Sequence, residues 1–218
     1  MGQDEIRPVR DPERTRARIL AAATEVFAEH GFAGARVEAI TSAAGVNMRM
    51  IYHYFGDKAG LYVAVLEHLL GGLRQAEAQP IPTDGTAIDG LLGMFDMIFE
   101  HFGSSPELVR ILSTENVMSA RFLKSSVETP TVASPSLRNI RMLLDRGRLD
   151  SSIRRAVDPL HLYVVMVGFA YFHRSNGHTL SHIWATDIYA PDWQERHRLL
   201  GHEMLRAFLA TEEDATPG

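Results

Sequence analysis

The sequence predicts an all-α protein. Apolar residues recur at helical spacing in one segment after another, and no run of five or more residues alternates convincingly as a strand does. Prolines, glycines and capping side chains punctuate the segment ends. The pattern divides into three short helices, one long connecting helix, and a larger helical remainder.

Each element has a local reason. Asp11, Pro12 and Glu13 form a helix start: a capping carboxylate, a proline at the first helical position and an acid in the first turn. Ile19, Leu20, Ala23, Val26 and Phe27 then make one apolar stripe that Gly31 ends. Val37, Ile40, Ala43 and Ala44 mark a second helix, stopped by Gly45. Asn47 is placed to cap a third, carrying Ile51, Tyr52, Tyr54 and Phe55. After Gly56 a longer helix is expected from Asp57 to about Ala78, closed by Pro80 and Pro82. Further helices are expected from Ile88 to Phe102 and from Pro106 past Asn116 to Phe122. Others follow from Pro135 toward Arg148, from Asp158-Pro159 to about His173, from His178 to Ala185, and from Pro191 to Ala210.

Composition bounds the function. The 218 residues suit one large domain or a small one joined to a medium one, and 45% hydrophobic with 22% charged residues is ordinary for a globular chain. The absence of cysteine excludes disulfides, thiol catalysis and cysteine-ligated zinc. The longest apolar stretch, Leu160 to Phe172, is interrupted by His161 and falls short of the ~20 residues that span a bilayer. With a polar, acidic start in place of a signal peptide, a cytoplasmic protein with no membrane partner is expected. Net charge is −5, and all the basic side chains except Lys58 and Lys124 are arginines. Residues 1–58 are balanced in charge, so an argument for nucleic acid must rest on placed residues and not on bulk charge.

That placement is specific. Ala44, Gly45, Val46 and Asn47 have the form of a tight turn between two helices: a glycine for the bend, an apolar plug and a cap for the next helix. The third helix then presents Met48, Arg49 and Met50 at its N-terminal end, with Tyr52 and His53 nearby, while Ile51 and Phe55 turn inward. A recognition helix needs this division. Arg18-Ile19-Leu20, Ala23, Phe27 to Phe32, Val37, Ile40, Ala44-Gly45-Val46 and the run Ile51 to Leu61 resemble the DNA-binding signature of the TetR family of bacterial transcriptional regulators. The resemblance spans residues 14–66. Weaker similarity to late helices of some members lies at Pro159 to Leu162 and Ser175 to Asp187.

Residues 1–10, polar and without periodicity, read as a disordered arm. The resemblance implies a helix-turn-helix DNA-binding domain over 11–56 and a helical ligand-binding and dimerisation domain over 57–212, with a tail over 213–218. It implies a homodimeric repressor that leaves a palindromic double-stranded DNA operator when a small-molecule effector binds, with no cofactor and no enzymatic activity. Arg36, Met48, Arg49, Met50, Tyr52, His53, Tyr54 and Lys58 are the expected DNA contacts. Lys58 opposes the dipole of the long helix, and a phosphate shared with that helix end explains a cation there. Met48 and Met50 suggest apolar contact with thymine methyls. Besides Met48 and Met50, Thr41 and the pair Ala35-Arg36 depart from the family pattern: the Thr41 hydroxyl needs a partner, and Ala35-Arg36 loses a hydroxyl cap. Asn116, Phe122, Tyr163 and His173 are the candidates to orient a ligand, although polar groups in apolar helices are usually satisfied within a core. An activator of the same fold is one alternative. A metal-dependent helical enzyme is another, since His178 and His182 share a helical face, but no glutamate follows His178 as the zinc-hydrolase pattern requires.

One expectation concerns assembly. The Leu160–Phe172 stretch is apolar all round and must be buried all round. A stripe of Trp193, His197, Leu200, Met204 and Phe208 on the last helix offers a partner surface, and paired copies of the two helices make a twofold, four-helix interface.

Overall fold

The computed structural model describes residues 11–80, 85–126 and 135–210. The arm expected over 1–10, the tail over 213–218 and most of the polar break after Ser126 lie outside them. Ten α-helices form the described chain: α1 (Pro12–Gly34), α2 (Val37–Ala44), α3 (Met48–Phe55), α4 (Lys58–Glu77), α5 (Ala87–Ser104), α6 (Pro106–Val117), α7 (Pro135–Leu149), α8 (Pro159–Ser175), α9 (Gly177–Ile183) and α10 (Pro191–Ala210).

The Asp11 and Asn47 caps lie where the sequence places them, and Asp57, expected as the first residue of α4, caps it instead. The Asp11 carboxylate accepts from the Glu13 and Arg14 amides, the Asn47 side chain from the Met50 amide at 3.2 Å, and the Asp57 carboxylate from the Gly60 amide at 2.7 Å. Gly45 ends α2 in the left-handed conformation. Gly31, at φ 64° and ψ 176°, breaks the path of α1 and lets Phe32 leave the helical track. Gly60 is required by close approach: any Cβ there would collide with the Phe55 carbonyl, so α4 could not start so near the end of α3.

One sequence expectation fails after α6. The helix stops at Val117, and Ser119 and Ala120 both take positive φ. The chain then makes a single 3-10 turn over Leu123–Ser125. Glu115 drives this: its buried carboxylate accepts from the Phe122 and Leu123 amides at 3.2 and 3.0 Å and folds the segment back.

Two apolar cores result. The N-terminal core joins Ile19, Phe27, Ile40 and Ile51 to Leu61, Tyr62 and Leu66 of α4, and also takes in Ile111 of α6 and Phe122. At its centre the Tyr62 ring lies edge-on to Phe27, Phe32 and Phe122, with centroids 4.9, 5.3 and 5.0 Å away. Burial, with the Glu115 carboxylate nearby, pushes the Tyr62 phenol up and keeps it protonated. The second core gathers α5, α7, α8 and α10 around Phe95, Ile98, Phe102, Leu143 and Met166. Leu69 of α4 packs against both cores.

The α5–α8–α10 junction holds a buried histidine. His173 stacks on Phe99 at 5.3 Å, donates from Nδ1 to the Phe169 carbonyl at 2.9 Å, and sets Nε2 3.0 Å from the Gln194 side-chain oxygen. Burial pushes its imidazole down to about 4, against the opposing pull of those two hydrogen bonds. Burial also lowers His101 and His197. Between the ordinary histidine range and about 4 the unfolded chain therefore binds more protons than the folded one, and stability falls as pH falls through that window. The melting temperature is expected to decline between pH 7 and 4, and to decline less steeply in His173→Phe. Equal slopes for the two proteins would remove His173 from this account.

Candidate DNA-binding site

The site is built on α3, held by one face and open on the other. Ile51 is fully buried beneath it, and Phe55 packs partly against the same core. Met48, Arg49, Tyr52 and His53 are exposed, Tyr52 to 52%. An aromatic ring this exposed has no packing reason for its place, so the outer face of α3 is free to meet another molecule. Met50 and Tyr54 are half-buried, and Tyr54 meets the His53 ring at 5.0 Å.

The two contacts expected from outside α3 stand at the starts of α2 and α4. Arg36 is the exposed residue that precedes α2, with no side-chain cap, as loss of the hydroxyl there implies. Lys58 opens α4, and its ammonium rests 4.8 Å from the centroid of the Phe32 ring. Thr41, whose hydroxyl needed a partner, donates to the Glu38 carbonyl at 2.9 Å.

Sequence reasoning gave Arg18 no physical role. Its guanidinium reaches from α1 to the C-terminal end of α2, with Nε donating to the Ala44 carbonyl at 3.2 Å and Nη2 to the Gly45 carbonyl at 3.1 Å. The cation thus satisfies carbonyls left open at the helix end and fixes the turn that aims α3. Arg16 lies 5.2 Å from the Phe55 ring. An arginine seven residues into a helix carries no local sign of such a partner, which lies 26 positions away.

The four ligand candidates do not converge. Asn116 is exposed near the end of α6, where its carbonyl accepts from the Ser119 amide, so it is a surface residue and not a polar group inside an apolar helix. Phe122 belongs to the N-terminal core. The Tyr163 hydroxyl donates to the buried Glu77 carboxylate at 2.8 Å, and His173 has the partners given above. None of the four lines the cleft of about 500 Å³ between α1, α5, α6, α8 and α9. Among the described residues no group of three or more histidines and carboxylates gathers as a metal site, and no helix is long and apolar enough to cross a membrane.

Comparison with known proteins bears on this geometry. Residues 19–65 match the model of bacterial regulatory proteins of the tetR family, and residues 88–205 match the tetracyclin repressor-like C-terminal domain. The HTH-type transcriptional repressor NicS of Pseudomonas putida is 34% identical over 81% of this chain and 83% of its own length. The HTH-type transcriptional repressor SCO4008 of Streptomyces coelicolor is 35% identical over 74% and 80% respectively. The crystal structure of SCO4942 from the same organism superposes with a TM-score of 0.66 at 25% identity, covering 89% of this chain and 97% of that one. An α3 with one buried and one exposed face, set behind a capped glycine turn, stands in the segment that the N-terminal model covers; the chain belongs to the TetR family of DNA-binding transcriptional regulators.

Proposed function

We propose that this chain is a homodimeric repressor that reads a near-palindromic operator with α3 and leaves it when a small molecule binds. The observation that carries the reading is the exposed row of Met48, Arg49, Tyr52 and His53 on a helix anchored by fully buried Ile51. A helix held in this way is suited to the major groove, where Arg49 reaches base edges and the Tyr52 hydroxyl, Arg36 and Lys58 reach phosphates. The two relatives named repressors support repression over activation.

Dimerisation rests on an unpartnered apolar face. Leu160, Val164, Val165 and Phe172 of α8 are all more than half exposed, and Leu200, Met204 and Phe208 of α10 stand beside them at 40% or more. An apolar groove of about 220 Å³ runs between the two helices, lined by Val165, Phe169, Met204 and Phe208 among others. Two copies related by a twofold axis would cover both faces and set two α3 helices about one turn of DNA (~34–36 Å) or a multiple apart. Release follows if effector and DNA favour different arrangements of α4 and α6 against α1, and each then weakens the other equally.

Two experiments test the reading. In anisotropy titrations on the operator at several salt concentrations, Arg49→Ala is expected to lose ~1–3 kcal/mol and relax preference at one base pair. Lys58→Ala is expected to weaken all duplexes alike and to lower the salt slope by about one. Unchanged affinity in both variants would overturn the assignment of α3. For the dimer, Gly168 is the probe: a Cβ there meets nothing within 4 Å, so a side chain at this position leaves the subunit fold intact. Sedimentation equilibrium at micromolar concentration is expected to give twice the chain mass for the wild type, with at least ~1,200 Å² buried, and the chain mass for Gly168→Arg. A monomeric wild type would remove the two-half-site reading.

A further inference from the structure

We propose that the cleft between α1, α5, α6, α8 and α9 is a binding site for a small organic anion, a carboxylate or phosphate ester with an apolar body, whose charge is held by Arg174 and Arg110. This names the class and place of the effector, and so rests on the effector-responsive reading above. The volume of about 500 Å³ is that of a small-ligand site.

The donor inventory of the cleft points to an anion. The hydroxyls of Ser113, Thr114, Ser175 and Tyr189 each donate to a backbone carbonyl, those of Val109, Arg110, Phe172 and Arg174. With those protons engaged, the unengaged donors on its walls belong to Arg110, Arg174 and His178. Arg174 has neither a hydrogen bond nor a carboxylate within 4 Å among the described residues, and its Nε–H is buried without a partner. A half-buried cation with no protein partner for its N–H groups is costly, and a ligand oxygen at the terminal guanidinium nitrogens lowers that cost. Burial accordingly disfavours the charged form of Arg174. The ring of Phe99, 5.0 Å from its Cζ, covers one side of the guanidinium but accepts no hydrogen bond in its plane.

The backbone is shaped around these groups. A Cβ on Gly103 would press on the Arg174 guanidinium, and one on Gly177 would collide with the Tyr189 ring, so both side chains occupy space that glycine leaves. Phe102, Pro106 and Val109 give the cleft an apolar wall for the body of the ligand. Arg174 also borders a second cleft, but there Glu195 is already paired with Arg198 at 2.7 Å. The opposing charge is Glu29 on the α1 wall, exposed and 3.9 Å from His30.

The position couples the site to DNA. Ala28, Glu29 and Gly31 of α1 form one wall, and Arg110 and Thr114 of α6 form the facing one. An occupant therefore touches the helix-turn-helix unit and the C-terminal body together.

Calorimetric titration of the full chain with benzoate, phenyl phosphate and neutral benzamide tests the proposal. Saturable binding of at least one anion is expected, with none for benzamide. Arg174→Met should weaken the anion about tenfold or more, and Glu29→Gln should tighten it a few-fold. If Arg174→Met does not fold, Arg110→Met, at an exposed position, is expected to weaken the anion several-fold. No saturable heat from either anion, equal binding of benzamide, or arginine variants that bind as the wild type does would each overturn the site. Anion binding that leaves operator affinity unchanged would uphold the site and overturn release by effector instead.

Discussion

The arrangement of this molecule depends on the aromatic cluster around Tyr62. A helix-turn-helix of this size has too little interior to be rigid alone, and it is completed by side chains from later in the chain. Tyr62 comes from α4 and Phe122 from the turn after α6, and they close on Phe27 and Phe32 of α1. Edge-on aromatic pairs contribute about 0.5–1.5 kcal/mol each beyond the area they bury, so this cluster is a principal tie between the helix-turn-helix and the later segments that complete the N-terminal core. Its geometry needs Gly31, whose positive φ frees Phe32, and Glu115, whose carboxylate folds the Phe122 segment inward.

From that constraint the rest follows in order. α1 packs against both α4 and α6, so the helix-turn-helix unit and the C-terminal body share a packed junction. Arg18 then sets the turn before α3 through the carbonyls of Ala44 and Gly45. Reciprocity between DNA and effector requires only that the two favour different settings of this packed junction. The anion cleft lies against the same stretch of α1 and α6, and so acts on the contact that carries the constraint.

Much of this was legible in the sequence, because helix starts and stops are local. Asp11 and Asn47 cap the helices they were expected to cap, and Gly45 turns where a glycine was needed. The long-range pairings were not legible. The end of α6 is set by Glu115 reaching seven and eight residues ahead, and the positive φ of Ser119 and Ala120 is not a glycine signal. Tyr163 and His173 were ligand candidates in the sequence, and their core partners Glu77 and Gln194 lie 86 and 21 positions away. Arg174 stands in the last turn of α8, where the dipole favours a cation, and nothing in the sequence sets it apart. Only the tertiary structure shows that its Nε is buried without a partner.

Hydrogen exchange on Phe122→Ala tests the central claim most directly. The ring contacts of Phe122 are with Phe32 and Tyr62, and the residue lies far along the chain from α3. If the aromatic cluster holds the helix-turn-helix to α4 and to the turn after α6, removing this ring lowers protection across α3 and the first half of α4 as well as at Leu123–Ser125. The loss in α3 should reach ~1 kcal/mol or more of opening free energy. Protection lost only at Leu123–Ser125, with α3 exchanging as in the wild type, would contradict the account.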